Sequence, residues 1–358
     1  MLNPCVFEGM WKGVSGKDII LKAIRLERTE RLPVALLSAG VWTFNRQGVS
    51  LEGALAMGPQ QAAEIIIRTN EEVESDIIWP GSGYHNIVVR GLGGKIKFRS
   101  KGAPDVQEPL LKDAAGAEKI DLSRLEDDRG IRMLWQMACH VVKAVGEKTL
   151  VGSSQWGPFT LAGMVYGVEK LMRGIYKDQQ AAHEVLNFTS ELCCRYLEPY
   201  VEAGCEIISI AEPTSSGDMI SRDQFEKFSL PYLKKVAGRI KQKGALVTVH
   251  ICGNITNRLD LIPESGADIL SVDYKVDLGK VRSRVGGRIA FAGNMNPVAV
   301  MQNAAPDEVK AACRLCLEQA GAGSGYVLMP GCDIPPGAPL ENIRAMVQTA
   351  HSWRKEEV

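Results

Sequence analysis

Charge of one sign is what the sequence most plainly lacks: 42 Lys and Arg residues are matched by 42 Asp and Glu, a formal net charge of zero. No global field therefore favours nucleic acid, membranes or acidic ligands, and no basic stripe interleaved with aromatics is present, so nucleic-acid binding is not expected. No apolar run reaches the roughly 20 residues a membrane-spanning helix needs, and no membrane association is expected. The opening residues, MLNPCVFEGMWKG, have neither the basic n-region nor the apolar h-region of a secretory signal. Low-complexity tracts and interdomain linkers are also missing. The nine cysteines are odd in number and show no framework spacing. That pattern argues against a disulfide scaffold and for a reducing, cytoplasmic setting, with some cysteines in the core and some as ligands.

What is present is a repeating alternation of short apolar runs and amphipathic helical stretches. Strands are expected at residues 33–38, 76–79, 150–154, 206–212, 245–250, 268–273, 288–294 and 325–330. Helical patterns fill most gaps, at residues 59–73, 130–145, 180–203, 221–241 and 306–320. Strands separated by helices make a parallel sheet, and eight such units predict closure into an α/β (β/α)8 TIM barrel. The strands are almost continuously apolar, as strands buried on both faces should be. The 358 residues suit one such domain, with residues 1–32 as a helical extension that plugs or flanks the barrel bottom. After the second strand, residues 84–100 hold two runs around Gly91–Gly94 and predict a β-hairpin excursion over the barrel mouth.

Barrel enzymes build their sites at the C-terminal ends of the strands. Those ends carry Ser38, Trp79, Ser153-Ser154-Gln155, Glu212, His250, Asp273, Asn294 and, just past the last strand, Cys332. Polar strand ends are common simply because loops begin there, but that explains poorly a His-x-Cys at one end and a Cys at another. His250 and Cys252 in VTVHICGN lie two apart on an extended segment, so both side chains reach the same side. Cys332 comes 80 residues later (332 minus 252), too far for a zinc finger, yet all strand ends ring one mouth.

One imidazole and two thiolates suit zinc better than magnesium or calcium, and three protein ligands leave a fourth position for substrate. The competing reading is three unrelated buried residues, since free cysteine is among the most buried types. Glu212 and Asp273 are the acidic candidates for a displaceable fourth ligand or for orienting His250. Tyr84 and His85, just past the second strand, are placed at the mouth within reach of substrate. Cys313 and Cys316 stand one helical turn apart in an amphipathic pattern and are read as core, as are Cys193 and Cys194.

At HICGN (250–254), AGN (292–294) and VLMPGCDIPPGAPLENIRAMV (327–347), and more loosely at WGPFTLA (156–162) and IAEPTSSGDMIS (210–221), the chain resembles the uroporphyrinogen-decarboxylase-like methyltransferases. That group includes methylcobalamin:coenzyme M methyltransferases and other corrinoid-dependent enzymes. The resemblance, which runs from about residue 21 to the C-terminus, implies a TIM barrel and a catalytic Zn2+ on His250, Cys252 and Cys332. It implies methyl transfer between a corrinoid and a small zinc-activated substrate: a thiol such as coenzyme M, or a methyl ether, phenol or amine. Ser38, Tyr84, His85, Gln155, Trp156 and Asn294 are the expected substrate-binding residues. The cobalamin is expected on a separate corrinoid-binding protein. Carriers of that kind show Asp-x-His-x-x-Gly, and none of the five histidines here has Asp two residues before it. Two alternatives stand beside this: a metal-free tetrapyrrole decarboxylase of the uroporphyrinogen type, and a non-catalytic barrel with structural zinc. The decarboxylase branch carries an Arg-rich N-terminal signature, of which only Asn45-Arg46-Gln47-Gly48 bears a trace.

Overall fold

The computed structural model describes residues 14–321 and 324–353, so the reading of the first 13 residues lies outside the described part. Among the described residues nine strands form: β1 (Ile77–Ile78), β2 (Ile96–Lys97), β3 (Asp105–Val106), β4 (Leu150–Trp156), β5 (Ile207–Ala211), β6 (Leu246–Ile251), β7 (Ile269–Val272), β8 (Ala290–Met295) and β9 (Tyr326–Pro330). Seven of them make one all-parallel sheet in the order β1-β4-β5-β6-β7-β8-β9. Helices run between them, including Pro59–Val73, Arg129–Val145, Gln179–Glu202 and Pro306–Ala320, within a residue of the expected spans.

The expected first strand is reduced to one parallel bridge, Val34 with Leu328. It still closes the ring. Ala35 N–H donates to the Leu328 carbonyl at 3.0 Å and Leu328 N–H to Pro33 at 2.9 Å, while on the other side Asp76 N–H donates to Val34 at 3.0 Å. The ladder stops there for local reasons. Pro33 has no N–H, and side chains take the remaining groups: Asp76 Oδ2 accepts from Val34 N–H, and Trp79 Nε1 donates to the Leu36 carbonyl. Ser38 then turns the chain with φ of 51°. The arrangement is a TIM-barrel-like α/β fold.

The lower barrel is filled by Ala35, Leu37, Ile77, Trp79, Leu150, Ile207, Ile269, Ala290, Val327 and Met329, all buried. Ile20 and Ala23 of the helix Gly16–Ile24 pack into the same cluster. Its start is a capping box, in which the Ser15 hydroxyl accepts from Asp18 N–H and Asp18 answers the Ser15 N–H.

Two expectations are corrected. The hairpin does not form between the two runs around Gly91–Gly94. Residues Ile87–Gly91 are a short helix, and the antiparallel ribbon lies one run later, pairing Ile96 with Val106 and Lys97 with Asp105. Ile87, Val88 and Val89 are all buried, and three consecutive buried residues need a helical turn under cover, not the alternation of a half-exposed ribbon. The long helix expected over 221–241 is broken into Arg222–Phe228 and Leu230–Gln242. Pro231 explains the break, because it disfavours helical backbone before it and sits well only in a helix's first turn.

Candidate metal centre

His250 is an inward residue of β6, placed opposite Ala211 of β5 and Ser271 of β7. Cys252 follows directly, and Gly253 then turns at φ 87°. A side chain at Gly253 would meet the Asp218 carboxylate at 2.6 Å, so glycine is required. Cys332 comes off β9 through Gly331, where a side chain's first carbon would meet the Tyr274 backbone nitrogen at 2.5 Å. These close approaches bring three donors together: His250 Nε2 lies 3.0 Å from Cys252 Sγ, which lies 3.2 Å from Cys332 Sγ. All three donor atoms are within 4.8 Å of one another, the one His/Cys/Asp/Glu cluster of that kind among the described residues. His250 Nδ1 is 2.9 Å from the buried hydroxyl of Ser271, which fixes the ring and leaves Nε2 for an ion.

The electrostatics suit a cation. The bond from Cys252 and that from His250 hold the Cys332 thiol down to about 4. Cys252 is pushed up in turn by the Cys332 thiolate beside it and by burial. Burial opposes a charge on His250, but the bond to Cys332 outweighs it and raises its pKa. Without a cation, three close groups compete for protons; an ion bound among them removes the conflict. One nitrogen and two thiolates at a buried yet accessible spot are a donor set that zinc fits.

A small cavity, of about 40 Å3, opens over the cluster. Six of the expected residues meet there: Ser38, His85 and Trp156 line it with His250, Cys252 and Cys332. His85 and Trp156 form one wall, ring centroids 4.3 Å apart. His85 Nε2 bonds the Ser154 hydroxyl at 2.8 Å, and burial holds its pKa down to about 4, so the ring is neutral near pH 7. The Ser38 hydroxyl has no hydrogen-bond partner among the described residues although the residue is only 8% exposed.

Five expected residues do not line the cavity. Tyr84 Oη donates to the Leu51 carbonyl at 2.8 Å. Gln155 sits between two inward residues, Ser154 and Trp156, so the strand's period of two turns it outward. Asn294 spends its amide on the carbonyls of Asp273 and Val276. Asp273 accepts from Gly253 N–H at 3.0 Å and Lys275 N–H at 2.9 Å; it fastens the Cys252 loop and is not in the donor cluster. Glu212, one past inward Ala211, points out to the helix Pro158–Ala162. There it accepts from Phe159 N–H, Thr160 N–H and the Thr160 hydroxyl at 2.7–2.9 Å. Burial pushes its carboxyl up to about 7 against those bonds.

Sequence reasoning passed over Asp333, Ser209 and Ser271. Asp333 and Ser209 line the cavity. The signal for the serines was a hydroxyl at an inward position of an otherwise apolar strand, and for Asp333 its place beside Cys332. Cys313 is core as expected, its thiol 3.3 Å from Met295 Sδ. No helix among the described residues is long and apolar enough to cross a membrane.

The chain is 31% identical over 254 residues to the methylcobamide:CoM methyltransferase MtbA of Methanosarcina mazei, covering 71% of this chain and 73% of that one. It is 32% identical over 267 residues to MtaA, the methylcobamide:CoM methyltransferase of Methanosarcina barkeri, covering 73% and 75%. A uroporphyrinogen decarboxylase from Idiomarina loihiensis is 28% identical over 277 residues, covering 74% of each. Among solved structures, a methyltransferase from Methanosarcina mazei superposes with a TM-score of 0.84 at 26% identity, over 94% of this chain and 98% of that one. The model of the uroporphyrinogen decarboxylase (URO-D) family matches residues 15–353, and the chain belongs to that family.

Proposed function

We propose that this chain is a corrinoid-dependent methyltransferase that holds zinc on His250, Cys252 and Cys332 and moves a methyl group between a corrinoid and a small substrate in the cavity above. The observation that carries this is the convergence of one imidazole and two thiols, from two distant strand ends, beneath an open cavity. The names of the relatives support methyl transfer and a corrinoid partner. When bound there, zinc supplies the charge that lowers a substrate thiol's pKa or polarises an ether oxygen.

The chain's own residues set the conditions. Two thiolates and a neutral imidazole offset the ion's charge, so an activated thiol keeps its nucleophilicity. Ser271 holds the His250 ring with Nε2 forward. Trp156 and neutral His85 wall the cavity against water and leave its open side for the corrinoid, which arrives on a separate protein and carries the difficult bond chemistry. The decarboxylase alternative fits less well. Among the described residues no Arg or Lys lines the cavity to receive a tetrapyrrole's carboxylates. Arg46, in the segment bearing the trace of the decarboxylase signature, is turned onto Glu72 at 2.6 Å and over the Trp42 ring.

The test is demethylation of methylcobalamin, followed by its absorbance, with zinc-loaded protein and a small thiol in weak buffer. Substrate binding should release close to one proton per site, since a free thiol of pKa about 8.5 is protonated at neutral pH. An intact methyl ether taken by the same site releases none. Equal turnover by zinc-free protein would end the proposal.

A further inference from the structure

The cavity over the metal centre, about 40 Å3, has room for the reacting end of a small substrate. It excludes a corrinoid, whose macrocycle is many times larger. A corrinoid serving this site must lie across the barrel mouth, on the loops that follow the strands. Those loops are not alike.

Six large apolar side chains are exposed among the described residues, and three of them stand on segments directly past sheet strands. They are Met219 past β5, Tyr274 past β7 and Val298 past β8, each 45–50% exposed. The other three lie on the helices Leu51–Met57, Val168–Lys177 and Pro306–Ala320. Apolar residues exposed singly need no explanation, but Met219, Tyr274 and Val298 belong to loops that are joined. Gly217 N–H donates to the Asn254 carbonyl at 2.8 Å, and Asn254 N–H to the Asp218 carboxylate at 3.2 Å, which ties the loop past β5 to the loop past β6. Lys275 pairs with Asp218 at 3.1 Å and brings in the loop past β7. Gly331 N–H donates to the Met295 carbonyl at 2.8 Å, joining the ends of β8 and β9, and the same glycine is pressed against the Tyr274 backbone. Cys252 and Cys332 emerge within this frame, so the apolar residues flank the metal ligands on a braced wall.

The loop past β1 is different. Its Ile87, Val88 and Val89 are buried, and the ribbon that follows exposes Lys95, Lys97 and Arg99. Lys95 pairs with Glu108 at 3.0 Å and Arg99 with Asp105 at 2.6 Å. Covering hydrated charges of that kind costs free energy, where covering Met219, Tyr274 and Val298 releases it.

We infer, resting on the methyltransferase reading above, that the corrinoid is received off-centre, with its ring laid on Met219, Tyr274 and Val298 at the β5–β8 side of the mouth. Much of each face of a corrin ring is hydrocarbon, and its contact with these three side chains removes apolar surface from water. The ribbon side of the mouth then stays free of the ring.

Methylcobalamin itself is the probe, titrated by calorimetry into zinc-loaded protein without a thiol, so that nothing is turned over. Met219→Glu and Val298→Glu should each weaken binding about fivefold to twentyfold, because each sets a hydrated carboxylate under the ring. Tyr274→Ala should weaken it about threefold to tenfold by removing contact area. Lys97→Glu, on the ribbon, should leave it unchanged. All four side chains are exposed, so fold and zinc content should be those of the unaltered protein. Methylcobalamin that does not bind, that binds the first three variants as tightly as the unaltered protein, or that is weakened by Lys97→Glu instead overturns the inference. Proton release on thiol binding involves no corrinoid and decides the methyltransferase reading separately.

Discussion

Cys332→Ala and Cys252→Ala are each expected to lower zinc affinity by about a hundredfold to a thousandfold and to abolish methyl transfer. The magnitude follows from dividing the roughly 10–16 kcal/mol with which four ligands hold zinc near neutral pH, about 3 kcal/mol apiece. The two substitutions should behave alike, because the sulfurs sit 3.2 Å apart and both close on the same space. Fold and unfolding midpoint should change little. The barrel buries its own apolar core below the site, from Ile20 and Ala23 upward, and does not depend on the ion to do so. Metal content by mass spectrometry, with far-ultraviolet circular dichroism on the same samples, checks both halves. Zinc retained at full occupancy in the two variants would remove these residues from the metal centre.

Glu212→Ala should do the reverse: a large loss of stability with zinc content retained. The carboxylate is wholly buried and caps the helix Pro158–Ala162 from a neighbouring strand end. Cutting it back leaves the Phe159 and Thr160 amides without an acceptor, at about 1–3 kcal/mol for each buried group, so a loss of about 2–6 kcal/mol is expected. Gly157 is built around the same carboxylate, since a side chain there would collide with it. Denaturant unfolding of the zinc-loaded variant measures the cost. A variant of unchanged stability that has lost its zinc would instead make Glu212 the fourth ligand, the role its strand-end position first suggested.

Glu212 shows where reading the sequence stops. Seven of the eight expected strands form, because a doubly buried parallel strand leaves a short apolar run that burial alone explains. The same runs gave the strand ends, and from them His250, Cys252, Cys332, Ser38, His85 and Trp156 at one cavity. What the runs do not carry is the phase of each strand. Gln155 and Glu212 stand one residue from inward positions, and that single step sends both to the outer face of the barrel. Asn294 and Tyr84 lie off the cavity for another reason: their side chains donate to buried carbonyls. Asp273 is intermediate, near the centre but holding the Cys252 loop by its backbone. The first strand was legible only in part, because Asp76 and Trp79 side chains replace ladder bonds there, and no periodicity records such replacements.

X-ray absorption at the zinc edge, on protein purified without added metal, tests the central claim most directly. One nitrogen neighbour at about 2.0–2.1 Å and two sulfur neighbours at about 2.3 Å are expected, with a light atom completing the shell. Cys252→Ala should drop one sulfur from whatever zinc remains. A shell of four sulfurs, a shell of nitrogen and oxygen alone, or protein without zinc would contradict a catalytic centre on His250, Cys252 and Cys332.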